Sequence, residues 1–154
     1  MRKIRSKIKP VRDHWNEERI ALEKGLMKKY GLKRKKELRA AEAILRSFRT
    51  QARALLVKAD ENRKRVLFEK LQALNILSEP MLDTVLSLSL EDILERRLQT
   101  VINKKGLAAT VKQSRQMITH GRIYINSRRI TFPSYLVRKA DEEGIALSAK
   151  SDAK

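Results

Sequence analysis

The sequence predicts an α+β protein, in which an all-helical N-terminal domain precedes a small module of two helices and a β-hairpin. Two observations favour this class: apolar residues recur every three to four positions through most of the chain before Gly121, and at every second position from Ile123. With 154 residues, 42% of them hydrophobic, the chain can bury one or two small cores. We expect four parts, namely a basic extension (1–12), the helical domain (13–88), the module of helices and hairpin (89–147) and a C-terminal tail (148–154).

The N-terminal region is predicted to be a basic extension followed by a helix. The helix is expected to start after Asp13 or Asn16 as its N-cap and to run to Tyr30, with Gly31 in the left-handed position beyond it. Trp15 is interpreted as a core anchor. The extension has no periodic apolar face and is typical of a segment that becomes ordered against a polyanion. Its basic residues are Arg2, Lys3, Arg5, Lys7, Lys9 and Arg12.

The most regular helical pattern runs from about Lys35 to Lys58. Arg46, Arg49 and Arg53 each follow an apolar position by one residue, about 100° further round the helix, and form a row beside its buried face. Arginines at this spacing can pair with successive phosphates, so the row is a candidate RNA-binding surface. The apolar stripe consists of Leu38, Ala41, Leu45, Phe48, Ala52 and Leu55.

Two further helices are predicted in the middle of the chain. One extends from about Glu61 to Leu77, and Pro80 then prevents its continuation. The other is introduced by Ser89 and Asp92 at capping-box spacing and runs from Leu90 to about Lys105. The expected buried positions are Leu67, Leu71 and Leu74 in the former and Leu90, Leu94, Leu98 and Val101 in the latter.

The C-terminal third is predicted to change from helix to hairpin. A capping box of Thr110 and Gln113 begins a short helix, and Gly121 ends it. Beyond that glycine the apolar period becomes two, which predicts a β-hairpin with its turn near Asn126 to Arg128. The inward positions are expected to be Ile123 and Ile125 on the first strand and Ile130 and Phe132 on the second, and further short strands are expected at 135–137 and 144–147.

The net charge of +18 is concentrated in two zones. Residues 1–58 carry +13, residues 59–95 carry −4, and residues 96–139 contain eleven basic residues and no acidic one. Charge that only solubilises a protein is interspersed in sign, so we interpret both zones as surfaces for structured RNA, although single charge runs are often merely solvated faces. The candidate contacts of the second zone are Arg96, Arg97, Lys104, Lys105, Lys112, Arg115, Gln116, His120, Arg122, Arg128 and Arg129.

Short motifs in the same zone resemble a known RNA-binding module, the one named after small-subunit ribosomal protein four. The resemblance rests on Arg97-Leu98, Gly106-Leu107-Ala108, Ser114-Arg115-Gln116, Ile125-Asn126 and Pro133-Ser134-Tyr135. Upstream, Lys29-Tyr30-Gly31-Leu32 and residues 39–45 are similar to the helical domain of the archaeal and eukaryotic branch of that family. The sequence departs from the module's pattern at Gln99, at Ser127 in the hairpin turn and at Ala140-Asp141.

The resemblance implies a structural protein of the small ribosomal subunit. It implies binding to small-subunit rRNA early in assembly and a position near the mRNA entry channel, beside ribosomal proteins three and five, with a role in translational accuracy. The same module occurs in RNA-modifying enzymes and in stress-related RNA binders. The alternative is therefore a non-ribosomal RNA-binding protein or the targeting module of an RNA-modifying enzyme.

No catalytic site is predicted. His14 and His120 lie far apart in the chain, and no phosphate-binding glycine loop or nucleophile motif is present. The adjacent acids Asp141 to Glu143 are interpreted as a solvated turn. The sequence has no cysteine, which excludes disulfides and metal sites built from thiolates. The zinc site of some members of the family that it resembles is therefore excluded too. We expect no metal and no cofactor. No apolar run is long enough to span a membrane, so a soluble cytoplasmic protein is expected.

Overall fold

The computed structural model describes residues 15–77 and 79–148. Within these residues the chain forms seven helices, then two short strands, an eighth helix and a third strand. This order confirms the predicted α+β class. The predicted extension 1–12 and residues 149–154 of the predicted tail lie outside the described residues. The elements are α1 Glu17–Lys29, α2 Lys35–Val57, α3 Glu61–Ala73, α4 Leu82–Ser87, α5 Leu90–Glu95, α6 Leu98–Lys104, α7 Val111–Thr119, β1 Ile123–Ile125, β2 Arg128–Arg129, α8 Lys139–Glu142 and β3 Ile145–Leu147.

Helix α1 has the ends that its sequence predicts. The Asn16 side chain accepts a hydrogen bond from the backbone N–H of Arg19 at 2.9 Å, which confirms Asn16 as the N-cap. At the other end Gly31 has a φ of +58°, and the Leu32 N–H donates to the Met27 carbonyl at 2.9 Å. This left-handed glycine turns the chain back so that α2 can pack on α1.

Helix α2 is the centre of the first core, and its predicted bounds are confirmed to within one residue. It packs against α1, α3, α4 and α5. Five of its six predicted stripe positions are buried, and Phe48 is half-buried against the same core. The buried members of this core include Tyr30, Leu38, Ala41, Leu45, Ala52, Leu55, Leu67, Leu71, Val85, Ile93 and Leu94.

Helix α3 ends earlier than predicted, and the reason lies in Asn75 and not in Pro80. Asn75 takes a left-handed φ of +52°, which an asparagine tolerates, and the Ile76 N–H then closes the helix by donating to the Leu71 carbonyl at 3.1 Å. No element was predicted between Pro80 and Ser89, and α4 forms there, with Val85 fully buried.

The single helix predicted from Leu90 to Lys105 is wrong, because the backbone leaves the helical conformation at Arg96 and Arg97. There the Leu98 N–H donates to the Tyr135 carbonyl at 2.8 Å, and the Val137 N–H donates to the Arg96 carbonyl at 2.9 Å. This short pairing with a later segment takes the place of the intrahelical hydrogen bonds at Arg96 and Leu98. It also marks the change from the first core, whose last member is Leu94, to a second one.

The two predicted capping boxes have different outcomes. At α5 the box is complete, since Ser89 and Asp92 exchange side-chain to backbone hydrogen bonds. At α7 only half of it forms: the Thr110 hydroxyl accepts from the Gln113 N–H at 3.2 Å, but the Gln113 side chain accepts from Ala109. Gly121 ends α7 with a φ of +71°, as predicted.

The strands form a three-stranded antiparallel sheet in the order β2-β1-β3. In the hairpin, Tyr124 pairs with Arg129 and Ile125 with Arg128, and the turn residues Asn126 and Ser127 have φ values of +47° and +67°. These signs are those of a type I′ turn. The predicted hairpin is confirmed, but the second strand is shorter than predicted.

Two predicted core positions are wrong. Phe132 is 69% exposed, because β2 ends at Arg129 and the chain no longer follows the sheet at residue 132. Trp15 is 89% exposed and is not a core anchor among the described residues. The second core instead contains Leu98, Val101, Ile102, Ala108, Ile118, Ile123, Ile125, Val137 and Ile145. No helix in residues 15–77 or 79–148 is both long and apolar enough to cross a membrane.

Candidate nucleic-acid interface

Helix α7 divides its side chains between the protein and the solvent. Ser114 and Ile118 are fully buried against the second core, on the side where α7 packs on α6. Lys112, Gln116 and His120 are exposed. Because α7 buries Ser114 and Ile118 on one side, these polar side chains lie on the opposite, solvent-facing side.

A shallow cleft lies beside the exposed side of α7. It has a volume of about 230 Å³. Three predicted contact residues, Gln116, His120 and Arg122, come together there. The cleft is lined by Gln113, Gln116, Met117, His120 and Arg122.

Strand β2 of the hairpin adds two exposed arginines, Arg128 and Arg129. The Arg129 guanidinium donates to the His120 carbonyl at 3.3 Å and lies over Gly121. A Cβ atom at position 121 would lie only 1.9 Å from Arg129 Nε, so the glycine is required for this close approach as well as for its positive φ. This contact joins the end of α7 to β2, and we call the exposed side chains of α7 from Lys112 to His120, together with Arg128 and Arg129 of β2, the α7–hairpin face.

Arg97 and Arg115, both predicted to contact RNA, are instead used within the fold. Arg97 is 4% exposed and donates to Glu37 Oε2 at 2.7 Å. Arg115 donates to both carboxylate oxygens of Glu37, at 2.9 and 3.0 Å. Burial alone would raise the pKa of Glu37, but the hydrogen bonds and charges of the two arginines outweigh it and hold that pKa below its ordinary value. This three-residue cluster joins α2 to the second half of the chain.

Gln99, one of the positions at which the sequence departs from the module's pattern, also links the segment before α2 to the second half of the chain. Its Nε2 group donates to the carbonyls of Tyr30, Gly31 and Val111 at 3.4, 3.2 and 3.0 Å, and its Oε1 accepts from Arg115 at 3.4 Å. A carboxylate at this position could accept from Arg115 but could not donate to carbonyl oxygens. The buried amide is therefore matched to its surroundings.

Three more predicted contacts have partners inside the protein. Arg96 pairs with Glu142 at 2.8 Å, and its guanidinium also donates to the Val137 carbonyl. Lys104 pairs with Glu95 at 2.9 Å, and the Lys105 ammonium donates to a backbone carbonyl of α8. The lysines remain exposed and can reach a phosphate as well, whereas the Arg96 side chain is only 11% exposed. The side chains of Arg96, Arg97 and Arg115 are thus all engaged with acids inside the protein.

The predicted arginine row on α2 is only partly open. Arg46 and Arg53 are exposed, but Arg49 is half-buried and donates to the Leu88 carbonyl at 2.5 Å, where it holds the connection between α4 and α5. The six predicted contacts of the basic extension lie outside the described residues.

Sequence reasoning missed Glu37 and the basic cluster that precedes it. A cleft of about 370 Å³ separates the start of α2 from the loop after the hairpin. The available signal was that Glu37 is the single acid between Glu23 and Glu42, within a run of basic residues. An isolated acid in such a run is a candidate for a structural ion pair. The cleft is lined by Lys33, Arg34, Glu37, Arg115, Pro133 and Ser134.

The acids after the hairpin were predicted to form a solvated turn, and this prediction is wrong. Asp141 and Glu142 belong to the short helix α8 and make contacts inside the protein. Asp141 accepts from the Asn126 amide at 3.2 Å and from the Tyr135 hydroxyl at 3.4 Å, so it supports the hairpin turn. Among the described residues no three histidine, aspartate or glutamate side chains cluster as metal ligands would.

Comparison with known proteins decides the family. Residues 96–143 match the model of the S4 domain family. Over 96% of its length the chain is 48% identical to small ribosomal subunit protein uS4 of Picrophilus torridus, of which it covers 84%. It is 45% identical to the protein of the same name from Ignicoccus hospitalis, over 97% of this chain and 93% of that relative. This chain belongs to the uS4 family. A third uS4 protein, from Methanothermobacter thermautotrophicus, is 43% identical over 99% of this chain and 92% of its own length.

Membership in the uS4 family confirms the resemblance that the sequence motifs indicated. The S4 domain match begins at residue 96, two residues after the last member of the first core, and ends within the segment that follows α8. The α7–hairpin face lies inside this match. These relatives are named as ribosomal proteins and not as enzymes, in line with the absence of a catalytic motif from the sequence.

Proposed function

We propose that this uS4-family chain is a structural protein of the small ribosomal subunit that binds small-subunit rRNA and helps to nucleate assembly of the subunit. The proposal places it near the mRNA entry channel, where it lies beside ribosomal proteins three and five, contacts mRNA and contributes to translational accuracy. Support comes from relatives named small ribosomal subunit protein uS4, which match nearly the whole chain.

The observation that carries the RNA-binding part is the α7–hairpin face. Exposed cations of helix α7 and strand β2 lie on elements that the contact between Arg129 and His120 joins, and the acids Glu37, Asp141 and Glu142 are already engaged in contacts inside the protein. Cations whose charge is not neutralised by neighbouring acids are free to replace the counterions of a phosphate backbone. Structured RNA is recognised largely through its backbone and shape, which suits such a face.

Binding to rRNA tests this proposal through its salt dependence. We expect the purified chain to bind a transcript of Picrophilus torridus small-subunit rRNA, with an affinity that falls ~10³ to 10⁵-fold from 50 to 200 mM salt if about 6 to 10 phosphates are contacted. Filter binding at several salt concentrations gives the slope. A flat titration contradicts the phosphate-binding surface.

A charge-matched pair of variants locates the surface. Lys112→Ala with Arg128→Ala removes two exposed cations of the α7–hairpin face, and the salt slope should fall by about 2, one for each phosphate that is no longer bound. Arg63→Ala with Arg65→Ala removes the same charge from α3, where both arginines pair with acids of their own helix or its cap. This control should leave the slope unchanged, and equal effects of the two pairs would show that only net charge matters.

Co-sedimentation separates the ribosomal role from the alternative. In a cell lysate at low salt the chain should sediment with the small subunit. A chain that stays in the free fraction under these conditions is a non-ribosomal RNA binder.

A further inference from the structure

The cleft beside α7 is lined by one arginine and otherwise by side chains that are not permanently charged. Phosphates are held mainly by arginine, lysine and backbone N–H groups, with amide and hydroxyl side chains as further donors, whereas a base edge also needs acceptors and an apolar or flat surface. Here the side chains between the cations are two primary amides, an imidazole and a thioether, those of Gln113, Gln116, His120 and Met117. These groups present hydrogen-bond donors and acceptors without charge, together with a flat ring and a polarisable sulfur.

The spacing places these groups along one stripe of the helix. Gln113, Gln116 and His120 are separated by three and four residues, so they follow one another on the same side of α7, and Met117 is adjacent. Below this stripe the helix is fixed by its buried residues and by the hydrogen bond from Arg129 to the His120 carbonyl. The stripe is therefore held on a rigid element, as a recognition site requires.

The hydrogen-bonding groups of the stripe are available. The Gln113 side chain accepts from Ala109 through Oε1, and its Nε2 donates to no other described residue. Neither the Gln116 amide nor the His120 imidazole makes a side-chain hydrogen bond to another described residue. Their polar groups thus contribute nothing to holding the described fold together.

We propose that this cleft binds one unpaired nucleobase of the RNA. The Gln116 amide offers the paired donor and acceptor that match the edge of a base, adenine being the base that glutamine pairs with best. The His120 ring and the Met117 sulfur offer the surfaces on which an unstacked base lies. Arg122 lines the cleft and Arg129 contacts its His120, so both can reach the phosphates on either side of that base. This inference rests on the proposed binding to rRNA and adds to it a contact that reads a base.

The test measures affinity and base accessibility on the same rRNA transcript of Picrophilus torridus. Gln116→Ala, alone and with His120→Ala, should lower affinity at least about fivefold at every salt concentration while leaving the salt slope unchanged, because these variants no longer hold the base but still bind every phosphate. In dimethyl sulfate footprinting, the wild-type chain should protect an unpaired base that both variants leave reactive. Backbone protection from hydroxyl radicals should be the same for all three proteins.

Gln72→Ala is the matched control, since Gln72 is an exposed glutamine on α3. It should behave as the wild type. Because alanine suits the α7 helix and Gln116 has no partner in the described fold, the variants should melt at the wild-type temperature. Unchanged affinity and unchanged base reactivity in the Gln116→Ala chain overturn the base site, even where phosphate binding persists. Absence of salt-dependent binding by the wild type overturns the proposed function as well.

Discussion

Glu37 connects residues that are far apart in the sequence. Its two arginine partners lie 60 and 78 positions later in the chain, and the cluster is the main polar contact between the start of α2 and the S4 domain. The charge of Glu37 was visible in the sequence as a single acid in a basic run, but its partners were not. Arginines that neutralise a buried acid and arginines that await a phosphate look the same in a sequence, which is why Arg97 and Arg115 were assigned to RNA.

Removing this carboxylate should destabilise the fold. Glu37→Gln leaves the Arg97 guanidinium, whose side chain is 5% exposed, without a counter-charge, and breaking a buried pair in this way costs about 3 kcal/mol. Urea denaturation followed by circular dichroism measures the loss. Glu42→Gln on the same helix is the control, since Glu42 pairs with no described residue, and it should change stability by less than about 0.5 kcal/mol. A similar loss in both variants would contradict the role given to Glu37.

The same cluster should make stability depend on acid. The folded-state pKa of Glu37 lies below its ordinary value of 4.5, so the pair stabilises the fold fully above that value, and the contribution is lost as the pH falls through the folded-state pKa. The difference in unfolding free energy between the wild type and Glu37→Gln should therefore be largest near pH 7 and should narrow below pH 4.5. A difference that stays constant down to pH 2 would mean that the carboxylate charge is not what matters.

At the scale of elements, a prediction from the sequence was accurate where the structure depends on a local pattern of residues, and it failed where the structure depends on a distant segment. Helix α2 was predicted to within a residue because its stripe is long and buries one face, so the local pattern and the packing agree. The break between α5 and α6 was missed because its cause is a pairing with Val137 and Tyr135, about 40 residues later. The end of α3 was missed because the left-handed residue there is an asparagine, which signals a helix end less clearly than glycine does.

The hairpin turn offers a stabilising change. Ser127 has a φ of +67°, which costs a residue with a side chain about 1 kcal/mol relative to glycine. We expect Ser127→Gly to raise the unfolding free energy by about that amount, measured by thermal and urea denaturation. Ser134→Gly is the control: it lies in an exposed loop and is not among the described residues with positive φ, so it should give no gain. A loss of stability in the Ser127→Gly chain would contradict the turn geometry.

For the whole molecule, the fold class and the two-zone charge distribution followed from the sequence because both are averages over many residues. Which cations face outward did not, since that depends on where each acid lies in three dimensions. Of the predicted contacts within the described residues, the lysines and hairpin arginines are exposed, whereas the arginines at 96, 97 and 115 pair with acids inside the protein. RNA binding by any of these residues stays a prediction.

Because the net charge is +18, added salt should raise the thermal stability of the free chain and lower its affinity for rRNA. Raising salt screens the self-repulsion of the free chain, so its melting temperature should rise between 50 and 500 mM salt, while the affinity for rRNA falls over the same range. Calorimetry of the free chain and filter binding measure the two trends side by side. If salt instead lowered the melting temperature of the free chain, its ion pairs would outweigh its net repulsion.

The sheet order β2-β1-β3 also bears on how the protein is made. The central strand β1 is paired on one side by β2, which begins three positions after β1 ends, and on the other by β3, which begins at Ile145. All the buried members of the first core precede residue 95, so most of that core can form on the nascent chain several seconds before β3 has been synthesised, at ~5 to 20 residues/s. The helical half can therefore fold while the S4 domain still lacks its last strand.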